Sequence, residues 1–115
     1  MTAPLNILAL GSFNTGERFV QRAKAAGATV LLGGEPNHEL NEATGGFFYR
    51  PTVFADVDPT MEIVCHEVFG PVLTLQTFGS EEEGVAMAND TDYGLAATLV
   101  TGSPERAERV ASQLS

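Results

Sequence analysis

The chain is 115 residues long and 43% hydrophobic, enough for one domain with a modest core. Six Lys plus Arg against fifteen Asp plus Glu leave a net charge of −9, which repels phosphate backbones and anionic lipid and so excludes nucleic acid and membrane partners. A single cysteine permits no internal disulfide, and the apolar start MTAPLNILAL carries no Lys or Arg before Arg18 and is far short of a membrane span, so the expectation is a cytoplasmic chain without a targeting signal.

Over TGERFVQRAKAA, residues 15 to 26, Phe19, Val20, Ala23 and Ala26 recur at helical spacing with charged residues on the other face, and Gly27 stands where a left-handed cap is wanted. ATVLL, closed by Gly33-Gly34, reads as a buried strand. EPNHELNEATGG, residues 35 to 46, is rich in turn formers without periodicity and reads as a surface loop. FFYRPTVFADV is extended but interrupted around Pro51, and MEIVCHE makes a short helix between the Asp58-Pro59-Thr60 turn and the Gly70-Pro71 break.

VLTLQTF, residues 72 to 78, reads as a strand. Ser80 opens SEEEGVAMAND with the Ser80 to Glu83 spacing of a capping box, so its three glutamates are helix-start chemistry rather than a metal site. LAATLVT, residues 95 to 101, reads as another buried strand. Ser103 and Pro104 then start a helix with Ala107, Val110, Ala111 and Leu114 on one stripe. Capped helices alternating with nearly continuous apolar strands predict an α/β fold with a mainly parallel sheet. The last helix is still periodic where the chain stops, so a piece of a larger domain is expected.

Chemistry concentrates in CHEVFGPV, residues 65 to 72. Neighbours on a helix point about 100° apart, so adjacency does not bring the His66 imidazole to the Cys65 thiol, and Cys65 reads as a small core residue. His38, Cys65 and His66 lack the spacing of a zinc motif, and neither Gly33-Gly34 nor Gly45-Gly46 forms a phosphate-binding loop. Glu67 remains, with two acceptor oxygens suited to both hydroxyls of a vicinal diol. Phe69 stands two residues on to cover a flat heterocycle, and Gly70-Pro71 fixes the backbone. A solvated glutamate beside a core phenylalanine is the plainer reading of the same letters.

HEVFGPV resembles the nicotinamide-site motif of the aldehyde dehydrogenase superfamily. RAKAAGATVLLGGE and GGFFYRPTVFADVDPTMEIV resemble the segments before that motif, and ANDTDYGLAATLVT the loop and strand after it, so the likeness covers residues 18 to 115. NDTDYGLAA is similar to betaine and amino-aldehyde dehydrogenases. The resemblance implies a partial parallel-sheet catalytic domain over residues 13 to 115, behind an unmatched segment 1 to 12. It implies NAD or NADP as cofactor and an aldehyde, oxidised to a carboxylic acid, as substrate. Full-length relatives are homo-oligomers.

By resemblance, Glu67 matches the glutamate that holds the nicotinamide ribose, Phe69 the aromatic that positions the nicotinamide ring, and Leu95 a leucine near the reaction centre. His66 replaces the family's more common first glutamate, and Ser12 falls near where relatives carry a glutamine or histidine. In the family a cysteine thiolate attacks the aldehyde, hydride passes to the cofactor, and a glutamate activates the water that hydrolyses the thioester. Both residues belong to segments upstream of those matched, and Cys65 is not at the nucleophile position, so no catalytic residue is assigned. The expectation is a piece of an NAD(P)-dependent dehydrogenase, inactive alone. The alternative is a truncated, non-catalytic chain or small binding module.

Overall fold

The structure is a computed structural model that describes residues 7–8 and 13–115. The expectations for Ser12 and for residues 1 to 12 as a separate segment lie outside the described side chains. The chain forms two compact units, one reaching to Gln76 and the other Thr77–Ser115.

The first unit runs β1 (Ile7–Leu8), α1 (Phe13–Ala25), β2 (Thr29–Leu32), α2 (His38–Thr44), β3 (Phe48–Tyr49), β4 (Thr52–Ala55), α3 (Glu62–Cys65) and β5 (Val72–Thr74). Its three-stranded sheet has the order β2-β4-β5. β4 and β5 pair in parallel, with Thr52 opposite Val72 and Phe54 opposite Thr74. β2 joins the other side antiparallel, and β1 pairs antiparallel with β3. The α/β class and its parallel pairing stand, within a mixed rather than mainly parallel sheet.

α1 forms as its periodicity requires and buries Val20 and Ala23. Ala26 lies past its end and is exposed. The helix closes on Gly27 at φ +98, with Gly27 N–H bonding Lys24 O at 3.1 Å and Ala28 N–H bonding Ala23 O at 3.0 Å. That is the doubly bonded stop glycine permits. Against this face pack Tyr49, Phe54, Ile63 and Val68, and Phe54 is completely buried. β4 alternates as a half-covered strand should, with Thr52 and Phe54 turned inward.

The expectations for β2 and for residues 35 to 46 fail for physical reasons, and the strand expected over 72 to 78 is limited to Val72–Thr74. β2 is an edge strand whose Leu31 and Leu32 are exposed, because it has a partner on one side only and its register shifts between Val30 and Leu32. Residues 38 to 44 form a helix where a loop is expected. The Asn37 side chain accepts from Leu40 N–H at 3.2 Å, and Gly45 at φ +71 bonds Asn41 O at 2.8 Å. The helix buries none of its residues, so it leaves no apolar period in the sequence.

The second unit holds α4 (Glu81–Asn89) and α5 (Pro104–Ala111). Ser80 Oγ accepts from Glu83 N–H at 3.2 Å, while the Glu83 carboxylate reaches back to Gly79 N–H at 2.6 Å, one residue further than the usual reciprocal box. Ser103 Oγ caps α5 by accepting from Arg106 N–H at 3.2 Å, with Pro104 at its start. Arg109 grips both oxygens of Glu81 at 2.7 and 2.8 Å and ties the two helices. The predicted strand at 95 to 101 is not paired among the described residues, and Leu95 and Val100 stand almost fully exposed. An apolar run becomes a strand only when another strand takes its backbone groups.

Candidate nucleotide-facing turn

α3 is a single turn, too short to hold itself by its own hydrogen bonds. It is fixed from outside. Ile63 is buried in the core, and Arg22 Nη1 on α1 reaches both carboxylate oxygens of Glu62, the first residue of α3, at 2.9 Å each. His66 leaves the helix in an extended conformation. The chain is pinned again at Val68, which is buried, and at Pro71, whose carbonyl accepts from Thr52 N–H at 2.8 Å. Val72 N–H bonds Gly70 O at 2.8 Å, closing a tight turn around Pro71.

Between these anchors Glu67 and Phe69 are exposed on either side of buried Val68. Phe69 is 74% exposed and sits at φ +52, a left-handed conformation that a bulky side chain adopts only when its surroundings impose it. This excludes the plainer reading of Phe69 as a core residue. Both residues line one concavity of about 330 Å³, with Ile63, His66, Leu73 and Thr74. Leu73 and Thr74 are not singled out by sequence reasoning. Their signal is the start of β5 directly after the turn, since a strand leaving a site lends it side chains.

Leu95, in the second unit, is fully exposed. Cys65 is exposed too, which corrects its reading as a core residue, and its thiol donates to Pro59 O at 3.1 Å rather than to an imidazole. Among the described residues no group of three His, Cys, Asp or Glu side chains could hold a metal ion. None of their helices is long and apolar enough to cross a membrane.

The turn's supports reach further back into the first unit. The buried Thr52 hydroxyl accepts from Gly34 N–H at 2.8 Å and donates to Arg50 O at 2.9 Å, which holds the β2 end against the start of β4. Gly33, at φ +68, lies so close that an added Cβ would stand 2.1 Å from Pro51 O. Glycine is required at that position.

A sequence profile of the aldehyde dehydrogenase family matches residues 8–115. The chain belongs to the aldehyde dehydrogenase family. It is 41% identical over 108 residues to the chloroplastic betaine aldehyde dehydrogenase of Beta vulgaris, covering 94% of this chain and 21% of that protein. It is 44% identical over 104 residues to the peroxisomal aminoaldehyde dehydrogenase 2 of Pisum sativum, covering 90% of this chain and 20% of that one. Betaine aldehyde dehydrogenase of Staphylococcus aureus, solved in complex with NAD+, superposes with a TM-score of 0.84 at 39% identity, over 91% of this chain and 21% of that structure. The chain therefore spans about a fifth of the length of the aldehyde dehydrogenases it matches.

Proposed function

We propose that these residues form one wall of the nicotinamide pocket in an NAD-dependent dehydrogenase that oxidises an aldehyde to a carboxylic acid. The observation that carries the reading is the pair Glu67 and Phe69. Both are exposed at one concavity on a backbone pinned at Ile63, Val68 and Pro71, with Phe69 held in a strained conformation.

The donor set fits the group. A carboxylate accepts from both hydroxyls of a ribose, and an uncovered aromatic face suits a planar nicotinamide. When bound, NAD supplies the hydride acceptor. Glu67 would hold the ribose and Phe69 orient the ring, and the exposed side chain of Leu95 is suited to an apolar contact with the cofactor. The NAD+ complex of the S. aureus relative supports NAD over NADP. The names of the plant relatives support an aldehyde bearing an amine or ammonium group. Residues 13 to 115 act as one piece of the catalytic domain, in a homo-oligomer. The lone thiol of Cys65 suits a reducing compartment, the cytoplasm.

NADH binding to the complete dehydrogenase carrying these residues tests the reading by fluorescence titration. Glu67→Gln removes a charged acceptor and raises Kd about tenfold or more; Phe69→Ala weakens binding as well. Unchanged affinity in both variants overturns the assignment.

A further inference from the structure

We propose that His66 sets the preference of this site for the oxidised or the reduced cofactor, its imidazolium weakening NAD+ relative to NADH. The inference rests on the reading of Glu67 and Phe69 given above.

Three observations carry it. His66 is exposed and borders the same concavity as Glu67 and Phe69. Among the described residues that line this concavity, His66 and Glu67 are the only titratable ones, so their two side chains set its local charge. The backbone fixes His66 in place: it closes α3 at φ −122 and ψ 142, and its N–H bonds Glu62 O at 3.0 Å. A rounded hollow of about 330 Å³ is about 9 Å across, so a ring held inside it lies within about one Debye length of both side chains.

The nicotinamide ring of NAD+ is a cation and that of NADH is neutral, so the cofactor changes charge where Phe69 would hold it. An ionised Glu67 favours the cation. An imidazole gains a proton, and with it a positive charge, across the neutral pH range, which carboxylates and guanidinium groups as types do not. Protonated His66 offsets Glu67 and disfavours NAD+, with little effect on the neutral ring of NADH. The ratio of the NAD+ Kd to the NADH Kd therefore rises as pH falls. The other charged side chains around the turn are carboxylates and guanidinium groups. α3 brings Glu62, bonded to Arg22 of α1 at 2.9 Å, and the loop before α3 brings Asp58, bonded to Thr60. α1, whose Gly16 backs Val68, also carries Arg18 and Glu17, and Glu17 accepts from Gln21 and Tyr49. β5 carries no charged residue, and the neighbouring Cys65 thiol donates to Pro59 O.

The test uses the complete dehydrogenase, with NADH measured by fluorescence titration and NAD+ by displacement of NADH, at about pH 6 and about pH 7.5. The parent is compared with His66→Gln, neutral at both pH values, and His66→Arg, cationic at both. In the parent the ratio of the two Kd values is expected to rise about two- to fivefold at the lower pH in low salt, and the rise to shrink in high salt. His66→Gln is expected to keep the low ratio at both pH values and His66→Arg the high one. A parent ratio that does not move with pH overturns the proposal. A rise that persists undiminished in His66→Gln overturns it too, as does a ratio in His66→Arg no higher than in His66→Gln. Glu67→Gln separates the two ideas: if that variant binds NADH normally, the site reading fails. If it binds weakly while both His66 variants keep the parent's ratio, only the charge proposal fails.

Discussion

Replacing Gly33 by alanine probes the joint behind the turn that carries Glu67 and Phe69. Gly33 is at φ +68, and left-handed backbone costs an L-residue about 1–2 kcal/mol relative to glycine. The new methyl would also stand 2.1 Å from Pro51 O and 2.8 Å from Thr52 Oγ1, both of which belong to the wall that starts β4. Relief requires β2 and β4 to part, and the first bond to go is the buried one from Gly34 N–H to Thr52 Oγ1, worth about 1–3 kcal/mol when its partners are stranded. The expected loss is about 2–5 kcal/mol. Gly45 supplies the control: it has a nearly identical φ of +71, but an added Cβ meets nothing within 4 Å, so Gly45→Ala costs only the conformational part, about 1–2 kcal/mol. Urea unfolding followed by circular dichroism measures both, provided the slopes agree. Equal losses in the two variants refute the reasoning, because backbone conformation alone would then explain Gly33.

Burial, followed by the hydrogen bond from its hydroxyl to Glu17, raises the Tyr49 phenol well above its ordinary 10.0. A folded-state value above the unfolded one means that the contribution is complete below about pH 10 and is lost as pH climbs past it. Tyr49→Phe should therefore be less stable than the parent near neutrality yet flatten the alkaline limb of a stability–pH curve; an unchanged limb counts against it. In the second unit the Arg109 hydrogen bond holds the Glu81 carboxyl below its ordinary 4.5, so the tie is present above that pH and is lost as pH falls through the lowered value. Amide signals of α4 and α5 should loosen over that acid range in the parent and show no such step in Glu81→Gln; an identical step in the variant would rule Glu81 out. Finally, the 115 residues alone, mixed with NAD+ and betaine aldehyde, should give no NADH absorbance, since the Cys65 thiol donates to the backbone carbonyl of Pro59 rather than to a base. Aldehyde-dependent NADH formation would overturn that expectation.

What the amino-acid sequence discloses of this fold is what depends on near neighbours. The Ser80 and Ser103 caps, the Gly27 stop and the break at Pro51 each act within a few residues, and each appears where the letters place it. α2 leaves no apolar signature because none of its residues is fully buried and polar contacts tie it to Phe48. Asn41 donates to Phe48 O and accepts from Phe48 N–H, taking the place of a strand partner, and no apolar stripe announces that role. LAATLVT misled for the opposite reason: its composition records suitability for a sheet, while a strand exists only where a second strand meets it. In the candidate site, the letters of CHEVFGPV drew attention to Glu67 and Phe69, whereas the exposure of Phe69, its backbone angle and the grip of Arg22 on Glu62 depend on contacts distant in sequence.

The bond from Thr52 N–H to Pro71 O joins the turn to the sheet at the first rung of the parallel ladder, where Thr52 faces Val72. The number of residues from Glu67 to Pro71 is thereby coupled to strand register. One residue more or fewer would carry Leu73 and Thr74 to opposite faces of β5, since successive side chains alternate. Exposed position 66 can therefore exchange a glutamate for a histidine with little effect on the sheet, while a single insertion would disrupt pocket wall and ladder together. Across relatives of this protein, drift in this stretch should take the form of substitution and not of length.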